Sequence, residues 1–177
     1  MEGIDYKDTG LSIQQAMLDC AKRSTMRVPR RPLTIQWGNR LVQTSDVWDV
    51  QRSGRVYAEI LKASPAIEQG FDLSVNGWLR LNDGNEVPTL RTWADDRYEN
   101  FVEVDFESSD QQLFVWNVYK MQLGESLLES KWGGNAGFWV ETLSSNERIY
   151  HCSPDIQEAP DFQAFIFRIR MAQVRLT

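Results

Sequence analysis

Reactive side chains are scarce in this chain: one histidine, His151, and two cysteines, Cys20 and Cys152, among 177 residues. That leaves no Cys/His set with metal-ligand spacing. Nor does any glycine-rich stretch follow a strand and open a helix, the arrangement that cradles phosphate. Long hydrophobic runs are missing too. None approaches the roughly 18 residues that cross a bilayer, and the opening residues 1–10 are polar and acidic. Neither a signal peptide nor a membrane helix is therefore expected. Asn-x-Ser/Thr sequons are absent, and the two cysteines fall in a predicted helix and a predicted strand. Both read as reduced, small core residues in a cytoplasmic setting, or within a particle assembled there. His151 and Cys152 are neighbours on a predicted strand and so point to opposite faces, which rules out a Cys–His dyad between them. No cofactor and no bound metal are expected.

What the chain does have is two-residue alternation. Phe71, Leu73, Val75, Leu79 and Leu81 alternate with Asp72, Ser74, Asn76, Trp78 and Arg80, the pattern of a strand with one buried and one wetter face. The run ends at Asn82-Asp83-Gly84-Asn85, a hairpin signal, and its partner is 86–93, where Pro88 favours an edge. Val102, Val104 and Phe106 form the next strand; Ser108 to Gln111 reads as a turn into 112–123. That strand is apolar on both faces, with Leu113 and Val115 on one side and Phe114, Trp116 and Val118 on the other, so it is expected to be central and Trp116 deeply buried. Further strands are expected at 137–143, 148–153 and 162–174, with 124–137 a long connection. Earlier, Leu33, Ile35 and Trp37 alternate, 42–50 holds a weaker strand, 55–63 fits strand or helix, and Ser64 to Gly70 suggests one helical turn. Helical periodicity is convincing once: Ser12 and Gln15 form a capping box ahead of a stripe of Ile13, Ala16, Met17, Cys20 and Ala21.

These signals predict a mostly β domain, an antiparallel sandwich, jelly roll or barrel with one N-terminal amphipathic helix. Residues 1–32 form the helix and a basic connector packed on the main domain; 33–177 form the antiparallel β domain. At 42% hydrophobic residues and a mean hydropathy of −0.45, the whole suits one domain with a sizeable core.

Charge is unevenly spread around a net −6. Lys22, Arg23, Arg27, Arg30 and Arg31 sit together without an acid, while 95–110 carries seven acids against Arg97. Such patches attract one another within a molecule or between copies. Arg27, Arg30 and Arg31 are thus candidates to dock on Glu103, Asp105 and Glu107. A polyanion is the lesser expectation for 22–31, since the body is acidic and no aromatic residue interleaves with the arginines.

Glu103, Asp105 and Glu107 lie at two-residue spacing on one strand face, about 6.5 Å apart, a separation that overlaps the carboxylate pair of an inverting glycosidase. Three similar outward acids lack the contrasting environments that acid–base work requires. Trp78 stands on a polar face, and Trp132 and Trp139 flank the Gly133-Gly134-Asn135-Ala136-Gly137 loop. Trp78, Trp132, Trp139 and Asn135 are therefore the candidates for a ligand or an interface. The leading expectation is a non-enzymatic binding and assembly protein: a homo-oligomer subunit or a structural component of a virus- or phage-like particle. A carbohydrate- or small-ligand-binding module is the alternative, and a glycosidase-like enzyme the remoter one.

Overall fold

A computed structural model describes residues 3–24, 31–94 and 100–172. The one helix among the described residues, α1 (Ile13–Arg23), starts where the capping box places it, with the Ser12 side chain accepting from Gln15 N and the Gln15 side chain accepting from Ser12 N. Eleven strands follow: β1 (Ile35–Trp37), β2 (Arg40–Val42), β3 (Asp46–Asp49), β4 (Ser53–Ala63), β5 (Gln69–Arg80), β6 (Glu86–Trp93), β7 (Phe101–Leu123), β8 (Ser126–Ser130), β9 (Gly137–Ser144), β10 (Glu147–Ser153) and β11 (Phe165–Ala172). β1 and β2 form a hairpin. The others form one antiparallel sheet in the order β6-β5-β7-β4-β11-β10-β9, with β3 and β8 also paired to β7.

That sheet folds over into a sandwich. Phe71 on β5 stacks on Phe167 of β11 at 4.6 Å, and Trp48 Nε1 on β3 donates to the Tyr150 hydroxyl of β10 at 2.8 Å, although these strands are not neighbours in the sheet. Register shifts in β5, between Val75 and Gly77, supply local bending. Phe71, Leu73, Val75, Val115, Phe165 and Phe167 all lie in the interior cluster, as their alternation predicts. Full burial of such side chains is worth roughly 1.5–3 kcal/mol each.

Three expectations need correction. Ser108–Gln111 does not reverse the chain: it is an irregularity inside β7, where Ser108 Oγ donates to Gln112 O and Gln111 takes a left-handed φ of 56°. The irregularity switches which residues face inward. Val104 and Phe106 are buried before it, Leu113 and Val115 after it, so even positions point in on one side of the break and odd ones on the other. Trp116 is consequently only half-buried, packed at the margin of the core with its ring 5.4 Å from that of Trp132. Ser64 to Gly70 is no helical turn, because Ser64 N is drawn to Ala164 O and Gln69 already belongs to β5. Finally, the connection 124–137 contains a strand, β8, which forms a hairpin with the end of β7.

A second, smaller core joins Tyr6, Ile13, Ala16, Ile35, Trp37 and Val42. The helix thus packs with the β1–β2 hairpin, and the unit it forms crosses position 32. Tyr6 donates to Asp19 at 2.8 Å, and burial together with that carboxylate pushes its phenol up to about 12. The unit is tied to the sandwich by reciprocal backbone bonds between Gln43 and Phe138.

Candidate functional site

The acidic strand face and Trp78 come together. Cross-strand register places Arg55 of β4, Asp105 of β7 and Arg80 of β5 in one row, with Trp78 opposite Glu107 in an adjacent one. They line an open groove of about 500 Å³ with Tyr57 at its side. Arg55 bridges Asp105 at 2.7 Å and Glu103 at 2.8 Å, and Arg52 stands 4.0 Å from Glu107. The Arg55 guanidinium holds the Asp105 carboxyl below the usual carboxylate range. This is a charge-matched face, and Asp105, held low, is no proton donor to a leaving group. Nor is Trp78 an open stacking platform, for the Arg80 guanidinium lies 4.4 Å from its ring centroid.

Trp139 is even more completely covered. His151 stacks parallel to it at 3.8 Å, and Arg40 sits at 3.8 Å as well, which places the two on opposite faces of the indole. His151 Nε2 meets Glu141 at 3.0 Å, while its Nδ1 is buried without a hydrogen-bond partner. Cys152 points into the other core, where burial raises its thiol well above the ordinary value. Cys20 and Cys152 are both free.

The glycine loop has a structural task that its sequence did not disclose. Asn135 Oδ1 accepts from Ile13 N at 3.3 Å, Gly134 O accepts from Gln14 N at 2.9 Å, and Asn135 Nδ2 donates to Ile156 O and Glu158 O. Two of the free donors at the start of α1 are thereby satisfied by the loop. Gly134 is required there: its φ is 50°, and a Cβ would lie 1.9 Å from Asp155 Oδ1. Asn135 is thus a clamp between elements, and its amide is fully engaged by the chain itself.

The basic candidates divide. Arg31 pairs with Asp49 of its own chain at 2.8 Å instead of with the 103–107 acids. Arg27 and Arg30 lie outside the described residues. No group of acidic, His or Cys side chains among the described residues could hold a metal ion.

Two arrangements escaped sequence reasoning. Asp72, placed by alternation on the wetter face, is fully buried and takes two bonds of 2.8 Å from Arg91, whose guanidinium also reaches Glu129 at 3.0 Å. Asp46 of β3 similarly accepts from Tyr150 at 2.7 Å and Arg148 at 2.9 Å. The other is the β7–β8 hairpin, where Leu123, Leu127 and Leu128 are 63%, 57% and 44% exposed and Trp132, just beyond, is 43% exposed. Its signal was present: Leu127-Leu128 follow a two-residue Gly124-Glu125 turn, with Met121 and Leu123 before it. Lys131 Nζ lies 4.8 Å from the Trp116 centroid and 4.3 Å from that of Trp132.

No family model matches the chain, and neither does any curated protein or solved structure. No helix among the described residues is long and apolar enough to cross a membrane.

Proposed function

We propose that this protein is a non-enzymatic assembly subunit that associates with a second copy through the β7–β8 hairpin. The observation that carries the reading is the concentration of exposed apolar side chains on one projecting element, Leu123, Leu127 and Leu128, with Trp132 adjoining. On β7, Leu113, Val115 and Tyr119 face inward and are covered by the sandwich; Met121 and Leu123 continue the same face past its edge, and Leu128 is paired with Met121. The inner face of the sheet therefore runs on beyond the layer that should cover it. Uncovered apolar surface of this kind on a soluble fold marks a contact site.

The alternatives have less support. A sugar-binding module needs open aromatic faces; both faces of Trp139 are taken by Arg40 and His151, Arg80 covers one face of Trp78, and Lys131 Nζ lies 4.3 Å from the Trp132 centroid. A glycosidase needs one carboxyl kept protonated, whereas Arg55 keeps Asp105 ionised. The test is mass in solution by sedimentation. Wild type is expected as a dimer, and a variant carrying Leu123→Ser with Leu128→Ser as a folded monomer with an unchanged circular dichroism spectrum. A wild type that stays monomeric at high protein concentration would overturn the reading.

A further inference from the structure

We infer that the two copies join by antiparallel pairing of their β8 strands, Ser126–Ser130 against Ser126–Ser130, about a two-fold axis at Leu128; this rests on the assembly reading above. Among the described residues, β8 pairs with β7 alone. Gly124, at a φ of 61°, and Glu125 make a two-residue turn, so Leu123 and Ser126 are its closing pair. Closing pairs of such hairpins exchange both backbone hydrogen bonds, and the next pair exchanges none. Leu127 and Glu129 therefore stand in the non-bonded pairs, opposite Gln122 and Lys120. The direction of Lys120 N agrees: it donates to Glu68 O at 2.9 Å, away from β8. The N–H and C=O groups of Leu127 and Glu129 thus point out from the sheet edge.

A second β8 running antiparallel, with Leu128 opposite its own copy, satisfies all of them. Leu127 then exchanges bonds with Glu129 of the partner and Glu129 with Leu127, four hydrogen bonds in total by symmetry. The side chains suit this register. Leu128 meets Leu128, and Ser126 meets Ser130. No acid lies directly opposite another, and each Glu129 is already neutralised by Arg91 of its own chain. Exposed edges usually carry a proline, an inward charge or a lysine that discourages pairing. β6, at one end of the sheet order, carries Pro88 and Arg91, and β9, at the other, is bridged by Gln43. Ser126-Leu127-Leu128-Glu129-Ser130 has neither proline nor lysine, and its one charge, Glu129, is neutralised by Arg91.

Proline at 127 removes an outward N–H that β7 does not use. Leu127→Pro is expected to weaken the dimer by at least about tenfold, since a symmetric pair of hydrogen bonds is lost, while Leu127→Val leaves it intact. In a Cys20→Ser background, Leu128→Cys should form an intermolecular disulfide on mild oxidation, because residues in a directly opposed non-bonded pair bring their Cβ atoms to roughly 4.5–5.5 Å. Leu127→Cys should cross-link at least several-fold more slowly. If Leu127→Pro dimerises like wild type, or Leu127→Cys cross-links as readily as Leu128→Cys, edge pairing is wrong. The hairpin then docks by its face, and the assembly reading survives provided that the Leu123→Ser, Leu128→Ser variant is monomeric. Should the proline variant fail to fold, the two cysteine variants decide.

Discussion

Asp72 and Arg91 illustrate how a residue is read wrongly from alternation and rightly from physics. Strand phase puts Asp72 beside Ser74 and Asn76 on the wetter face, yet its carboxylate is fully buried. A buried charge persists only when paired and hydrogen-bonded, and Arg91 supplies a bidentate fork from the neighbouring strand, with Asp72 directly opposite it in register. Removing one partner is costlier than the pair is worth, since the other charge is stranded. Arg91→Met should therefore destabilise the fold by about 3 kcal/mol or more, read from denaturant midpoints. The double variant Arg91→Met with Asp72→Leu should recover most of the loss. If the single change costs no more than an exposed ion pair does, under about 1 kcal/mol, Asp72 reaches water after all. Nothing in the one-dimensional pattern reveals such a pair, because the two residues lie 19 positions apart and meet only once β5 and β6 are aligned.

At the level of elements, local signals were legible where one rule acted alone. The capping box located α1, the Asp-Gly turn located the β5–β6 hairpin, and clean alternation located the core residues of β5 and β11. Reading failed where a strand changes phase. Ser108 to Gln111 carry turn composition, but Val50 N and Ser108 N are taken by Gln111 O and Arg52 O, so the ladder holds the segment in line and one strand of 23 residues results. β8 was missed because a five-residue strand with all but its last residue exposed shows no burial pattern. The irregular part of β7 also depends on its neighbour β5. At Gly77 a Cβ would lie 2.1 Å from Glu107 O, so the backbones touch where both strands bend. Gly77→Ala must push them apart, a form of overpacking against rigid backbone that costs about 3 kcal/mol. Thermal denaturation checks it: a melting temperature within a degree or two of wild type would mean that β5 and β7 can separate there without loss.

For the whole molecule, the arrangement of charge decides which force drives association. The uneven sequence distribution suggested a basic arm reaching for an acidic face on another copy. In the folded chain, however, Arg55 neutralises Glu103 and Asp105, Arg31 pairs with Asp49, and Arg91 serves both Asp72 and Glu129. These charges among the described residues are paired inside each copy, and the proposed contact rests on the apolar hairpin and its backbone edge. Charge pairing and apolar contact respond differently to salt. Raising ionic strength from about 0.1 M to about 1 M shortens the screening length from about 10 Å to about 3 Å, which weakens exposed charge pairs and leaves apolar burial untouched. The dimer constant is therefore expected to change by less than about threefold over that range, measured by sedimentation equilibrium. Arg31→Glu should lose its Asp49 contact and nothing of the dimer. Dissociation by salt together with dissociation by Arg31→Glu would return the contact to the basic segment, and the hairpin would then be exposed for some other partner.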